Sequence, residues 1–571
     1  MEKAICHRLK AICQRLRSIR WQHTSALFLG SANRRVPDLR PILRPDCEFR
    51  APEFVTGRGL IPRKNGDEHH WVALAITPAE WIFLVVGTIS MRTNALLALV
   101  LLVGLSITPG WVNAQTSSDS TTASSAARDP STAADTPVWL FPVVELNDHL
   151  PGWLRIGGEY RNRVEGPSGI GYTGTRDFYL LDRLRVWVNI QPKEWLTFHG
   201  EVQDSRIFFN HHIPNGNPYE DSWTLWEGYA KVGSGPGGWV DVLAGRQVLA
   251  FGEERVIGPS DWLNVGRTFN VARLDLHHAN NRVSVFAASV VPGDSSDLHN
   301  ALAGNNLYGV YGSFKNVVPK ADFEPYVLWR VAPSSSALAE TLGRGHLNEV
   351  TTGLHWKGTL PADFDYDTEF DGQTGSLGAS SIRAWAGYAS VGKTFRNVAT
   401  SPRAFIEGNY ASGTKNPVGR DWNTFDQLYP SNHDKYGFED QIGRRNLEQF
   451  RVGAEEDLTK KWKVKQAFEG YWLATSNDNF YASSGAIAIP AHPGASRHVG
   501  NELDLVAEYL LNPGLTFGVG YARLFAGQFL NTTTPGHDSS YPYAYFQYNF
   551  SKSGFHYPVN ANKNPGIDTS K

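Results

Sequence analysis

Cysteine and methionine are both scarce in this 571-residue chain, and their positions are informative. Cys6, Cys13 and Cys47 all precede Met91, and Met1 and Met91 are the only methionines. A chain exported from Met91 onward has no disulfide, so its fold must hold by hydrogen-bonded closure. Charge of one sign is also missing, since 54 Lys and Arg stand against 56 Asp and Glu. That balance excludes a nucleic-acid binder driven by net basicity. A mean hydropathy of -0.32 excludes a helical membrane protein, whereas a porin-like barrel shares this polarity because half of every strand faces water. Neither Gly-x-Ser-x-Gly nor His-Glu-x-x-His occurs, so no nucleophile with its base stands out and no enzyme activity is expected.

The composition breaks at Met91. Residues 1–90 are arginine-rich and read as an upstream extension that is not part of the exported protein. Met91-Arg-Thr-Asn, the apolar run Ala95 to Val103 and the small-residue box Val112-Asn113-Ala114 form a Sec signal peptide over 91–114, cleaved before Gln115. The Ser/Thr/Ala-rich stretch that follows cannot bury a core, so 115–151 is expected to be a flexible periplasmic lead-in.

From Trp153 onward the joints between apolar-alternating segments switch between short and long. Short ones fall at Gln191 to Lys193, Ser234 to Gly237, Ala279 to Asn281, Asn316 to Lys320, Gly358 to Ala362, Arg396 to Ser401, Thr459 to Lys461 and Asn512 to Pro513. Tight periplasmic turns opposite long outer loops are the rhythm of an outer-membrane barrel. The sequence predicts an all-β, transmembrane, antiparallel up-and-down barrel of eighteen strands over 152–550, followed by a polar tail at 551–571. In Asp322 to Val331, Phe323, Val327, Trp329 and Val331 share one face, and Asp322, Glu324, Tyr326 and Arg330 share the other. In Asp363 to Phe370 the three carboxylates Asp365, Asp367 and Glu369 likewise share a face. Each would cost several kcal/mol in hydrocarbon, so that face is the lumen.

The same parity places Arg155, Arg161, Arg163, Arg183, Arg185, Arg273, Arg330, Arg383, Arg403 and Arg451 on the inner wall. Among the acids it places Glu159, Glu201, Glu227, Asp275, Glu349, Glu407, Glu455, Glu502, Asp504 and Glu508 there too. Arg246 breaks the alternation of its strand, and a bulge near Gly245 would return it to the lumen. Two readings follow: the charges pair and brace a wide barrel, or guanidinium forks line a passage and favour anions.

Several other patterns dissolve on inspection. Gly387 to Thr394 satisfies the P-loop spelling but lies in an alternating strand, where no helix N-terminus presents amides to phosphate. Asp363-x-Asp365-x-Asp367-x-Glu369 lacks the turn glycine of a calcium loop, and pairing with lumen arginines is expected instead. His211-His212 and His277-His278 lack a third ligand at metal spacing, so neither metal nor cofactor is expected. The loops Gly413 to Gly443 and Thr475 to His498 are the longest, and the first reads as a lid.

Gly245-Arg246-Gln247, Phe251 to Gly258 (Phe-Gly-Glu-Glu-Arg-Val-Ile-Gly), Trp262 to Phe269 (Trp-Leu-Asn-Val-Gly-Arg-Thr-Phe) and Thr424 to Gly437 resemble the signature of the bacterial outer-membrane alginate export family. The sequence departs from it at Asn270, where an acid is expected, and at Arg444, where tryptophan is expected. The resemblance implies an eighteen-stranded monomeric barrel whose arginine-rich constriction passes a polyuronate outward, with Arg246, Arg255, Arg267 and Arg273 matching its motif arginines. The expected partners are an anionic polysaccharide, outer-membrane lipid and periplasmic export proteins, with no nucleic acid. Replacing those four arginines by alanine is expected to weaken anion preference. The competing readings are a general or small-anion porin, and an outer-membrane hydrolase or adhesion barrel.

Overall fold

The computed structural model describes residues 60–62, 71–73 and 142–550, apart from 236, 292–303, 316, 334–344 and 513. The signal peptide, most of residues 1–90, the first part of the lead-in and the tail at 551–571 lie outside the described residues. Within 1–90, Leu60–Pro62 pairs antiparallel with Trp71–Ala73. The end of the lead-in is helical rather than irregular: α1 spans Pro142–His149. Asn147 at its end exchanges hydrogen bonds with the backbone of Ile156, tying the helix to the first barrel strand.

Eighteen spanning strands follow. The first six are β1 Leu154–Glu165, β2 Tyr179–Lys193, β3 Leu196–Phe208, β4 Asp221–Gly233, β5 Val240–Gln247 and β6 Thr268–His278. The next six are β7 Asn281–Val291, β8 Asn306–Lys315, β9 Ala321–Ala332, β10 Leu347–Leu360, β11 Phe364–Leu377 and β12 Ser380–Thr394. The last six are β13 Arg403–Ala411, β14 Leu447–Asp457, β15 Trp462–Leu473, β16 His498–Asn512, β17 Leu515–Ala526 and β18 Ser539–Asn549. Neighbours in sequence pair antiparallel, and β18 pairs β1 to close the barrel. All eighteen predicted strands are present.

Period-two alternation explains the wall. In β3, Phe198 and Val202 are exposed, while His199, Glu201, Gln203 and Ser205 are buried. Val327, Trp329, Phe370, Trp385, Ile406, Phe450 and Phe468 are likewise exposed on their strands, so the outer surface is apolar where hydrocarbon would meet it. The rhythm of joints fails once: β11 and β12 are joined on the long-loop side by Gly378 and Ala379 alone. Gly378 has φ +58°, a conformation that glycine adopts without strain.

Two outer loops turn inward. The β5–β6 loop supplies Leu249, Phe251, Val256 and Ile257 to an apolar cluster with the wall residues Phe269, Phe286, Tyr311 and Leu328. The β13–β14 loop supplies Phe425, Tyr436 and Ile442 to a second cluster with Tyr471, Leu473 and Val499. The loops pair with each other as well, through Tyr429 N to Val256 O at 2.9 Å, Gly258 N to Tyr429 O at 2.8 Å and Ser431 N to Glu254 O at 2.9 Å. The loop expected to be a lid is thus half of an internal plug. Backbone polar groups inside a barrel need partners, and this short ladder supplies them.

Candidate functional site

The plug is held at its two ends by opposite chemistry. At one end the tip of the β5–β6 loop meets four arginines of β1 and β2. Arg161 donates to the carbonyl oxygens of Asp261, Trp262 and Leu263 at 2.9, 3.0 and 2.9 Å. Arg163 donates to Trp262 O at 2.7 Å, and its guanidinium lies 3.9 Å from the centre of the Trp262 ring. Arg183 reaches Asp261 O at 2.8 Å and Glu159 Oε1 at 2.6 Å. Arg185 reaches Asp261 Oδ1 at 2.7 Å, and Arg183 lies 3.2 Å from the same oxygen. One carboxylate is therefore seated between two guanidinium forks, with a third at its carbonyl.

Arg183 is fully buried, yet 48% of the Asp261 side-chain surface stays open. The seat is thus half open on the carboxylate side. Burial pushes the Asp261 carboxyl pKa up, but Arg183, Arg185 and Arg161 outweigh that and hold it well below the usual 3.8. The other face of Trp262 stacks on His433 of the second loop, at 4.0 Å between ring centres.

At the opposite end the wall is acidic and the loops bring the cations. Arg255 donates to Glu407 Oε1 of β13 at 2.9 Å and to Asn409 Oδ1 at 3.1 Å, with its guanidinium 3.6 Å from the Tyr388 ring centre. Arg444 lies 2.9 Å from Asp371 and 3.3 Å from Glu369, both on β11, and all three are buried. Two pairs run the other way: wall Arg330 of β9 holds Asp426 of the second loop, and wall Lys357 of β10 lies 2.8 Å from Glu253 of the first. The β5–β6 loop thus spans from β1–β2 to β13, across the barrel interior.

The remaining predicted residues fall outside these two seats. Arg155 bonds Pro151 O and Leu154 O at 2.8 and 2.7 Å, local carbonyls at the start of β1. Arg273 pairs with Asp275 on its own strand at 2.7 Å. Arg403 pairs with Asp365 at 2.6 Å, and Arg451 with Glu469 at 3.0 Å. Asp367 bonds His355 at 2.8 Å, a histidine where an arginine was expected. Arg267 donates to Gly258 O and Pro430 O, both at 3.1 Å, and burial lowers its pKa to about 10.

Two expectations are corrected. The ladder of β5 runs through Gly245 with no slip against β4 or β6, so no bulge exists there. Arg246 keeps the parity of the exposed Val242 and Ala244, in register with Gly228 and Asn270, and donates to Asn270 Oδ1 and to Leu225 O, both at 3.1 Å. Arg383 shares the face of exposed Trp385, while Ile382 and Ala384 are buried. It stands at the loop end of β12, where a long guanidinium stem can reach the polar interface.

Sequence reasoning passed over Asp261, Asp371, Asp426 and Arg444 as charged partners. Asp261 lies in an irregular loop without periodicity, and only its neighbour Trp262 belonged to a recognisable stretch. Arg444, the departure from tryptophan, is one of the cations that pins the second loop.

The family described as alginate export matches residues 152–543. Among curated proteins there is no match. Among solved structures the chain is similar to Pseudomonas aeruginosa OccK11 (OpdR), at 13% identity and a TM-score of 0.46 over 69% of this chain and 95% of that one. It is similar as well to Acinetobacter baumannii OccAB2, at 10% identity and a TM-score of 0.47 over 69% of this chain and 97% of that one. The match takes in β1 to β17 and the start of β18, together with both inward loops, and these strands close as a barrel. The chain belongs to the alginate export family and is an outer-membrane channel.

Proposed function

We propose that the channel passes an anionic polysaccharide of the polyuronate type outward, and that the structure corresponds to its closed form. The observation that carries this reading is the Asp261 seat. A carboxylate held by Arg183 and Arg185, with a face open to the lumen, occupies the place a uronate carboxylate would take. A polymer bearing one carboxylate per sugar competes for those forks, frees the loop tip and replaces each lost hydration shell by guanidinium contacts. Arg267, which donates to the carbonyl oxygens of Gly258 and Pro430, offers a further positive charge beside the passage.

The proposal includes a Sec leader over 91–114, a segment over 1–90 that the exported chain does not carry, and a monomer in outer-membrane lipid that receives polymer from periplasmic export proteins. N-terminal sequencing of the exported protein checks the leader, and a mature start before Met91 contradicts it.

The test is current through planar bilayers. Polyuronate added from the periplasmic side is expected to change an anion-preferring current, and a neutral polysaccharide of equal length is not. Arg183→Ala with Arg185→Ala is expected to abolish that response. A current indifferent to polymer in the unaltered chain supports a general porin instead, and polymer cleavage without current supports a hydrolase.

A further inference from the structure

The inner wall beside the Asp261 seat is aromatic. β18 places Tyr541, Tyr543 and Tyr545 on the lumen side, alternating with the exposed Pro542 and Ala544. Gly520 and Gly518 of β17 stand directly opposite Tyr543 and Tyr545 in the ladder. A methyl group on either glycine would strike the ring of its partner, so both rings lean across the backbone of β17. Their planes differ by 25° with centres 6.4 Å apart, too far for one ring to stack on the other.

Trp262, at the tip of the β5–β6 loop, sits on this pair. Its ring centre lies 4.9 Å from Tyr543 and 5.9 Å from Tyr545, at 66° and 84°. Arg163 and His433 cover the two faces of the indole, so its C–H edge is what meets the tyrosines. An edge that meets both rings at steep angles requires both to turn their faces toward it, and the two tyrosines therefore form one floor. The positive edge of one ring on the negative face of another is a favoured arrangement. A pyranose ring offers the same complement, because its sides carry C–H groups polarised by the attached oxygens.

The floor and the forks are neighbours on the wall. Tyr545 is in register with Arg163 of β1, and Arg161 of β1 with Arg183 of β2. At roughly 4.8 Å per strand, the floor lies about 10 Å from the β2 forks. Asp261 and Trp262 are consecutive in the loop, and together they place a carboxylate in the forks and a C–H edge on the floor. A polymer of linked uronate rings does the same with successive units. A flexible polyanion without rings fills only the forks.

We propose that Tyr543 and Tyr545 are a sugar-stacking platform that selects a polyuronate from other polyanions once Trp262 lifts. This rests on the polyuronate reading above and adds recognition of the sugar ring to recognition of its charge. In the closed form Trp262 occupies the platform, just as Asp261 occupies the forks.

Two measurements test the platform. In planar bilayers, alginate is expected to act at about tenfold lower concentration than polyglutamate of equal charge, and Tyr543→Leu with Tyr545→Leu to erase that gap by weakening alginate alone. Tyr543→Phe with Tyr545→Phe keeps both rings, loses the Tyr545 hydroxyl bond to Glu508 and should retain the gap. In detergent micelles, Trp262→Gly bares the floor. Saturation-transfer NMR on that variant is expected to show contact with the C–H protons of an alginate oligomer, and adding the two leucine substitutions to remove it. Heat-modified gel mobility shows whether each variant remains a folded barrel. An unchanged gap in the folded leucine variant overturns the platform, as does equal action of the two polymers on the unaltered chain. Absence of transfer to the oligomer from folded Trp262→Gly overturns it without reference to current. Equal transfer to a neutral oligosaccharide supports the platform and counts against the polyuronate reading, so the two can fail separately.

Discussion

The β1–β2 wall and the β11–β13 wall hold the same plug with inverted charges. On β1–β2 the wall supplies guanidiniums and the loop supplies the carboxylate of Asp261, whose side chain is 48% exposed. On β11–β13 the wall supplies Glu369, Asp371 and Glu407, and the loops supply Arg255 and Arg444, all of them buried. An anionic solute can displace a carboxylate from arginines, but it is repelled by the wall on the other side. In the proposed function the first seat would act as a latch and the second as a hinge. Interior arginines that pair with carboxylates need not be mere bracing: the charge inversion assigns different work to the two ends.

Breaking the hinge has the largest expected effect. Glu407→Ala leaves the buried Arg255 guanidinium without its carboxylate, which typically costs about 3–5 kcal/mol, so denaturant midpoints should fall and basal current should become noisy. A stability loss below about 1 kcal/mol would show that the hinge is not a buried pair of this kind. Arg183→Ala with Arg185→Ala comes next, raising basal current and removing the response to polyuronate, with anion preference reduced as well. If Arg255→Ala removed the polymer response equally, the distinction between the ends would fail.

Asp261→Asn is the subtler change. It removes the internal competitor while leaving the forks, so polyuronate is expected to act at roughly tenfold lower concentration, the equivalent of about 1.4 kcal/mol. A rightward shift in polymer titrations would contradict the latch. The pH response sharpens the same point. A carboxylate whose folded pKa is depressed contributes from above its unfolded value and loses that contribution as pH falls through the folded value. Because Asp261 is held well below 3.8, closure should persist from pH 7 to about 4 and weaken only in stronger acid. The smallest effect belongs to Arg383→Ala on the outward face, for which reversal potentials should not move.

The strands were legible because lipid on one side and water on the other impose a period of two, so a single carboxylate-rich strand such as β11 sets the phase for its face. Arg383 escaped that logic because Ala384 and Ala386 beside it are small enough for either face. Arg246 escaped because Gly245 has φ +133° without any slip in register, and the sequence cannot distinguish such a glycine from a bulge. The plug was only partly visible: its motif stretches could be quoted, but an irregular loop has no periodicity to show that it folds inward.

Distance measurement by pulsed electron resonance tests the latch-and-hinge account most directly, and the absence of cysteine after Met91 makes site-directed labelling clean. One spin-label pair, Val186→Cys with Leu263→Cys, reports the latch, and a second, Ile406→Cys with Glu254→Cys, reports the hinge. With polyuronate, the first distance is predicted to lengthen and broaden while the second stays fixed, and a neutral polysaccharide should change neither. Two distances that move together, or a latch that ignores polyuronate, would contradict the account.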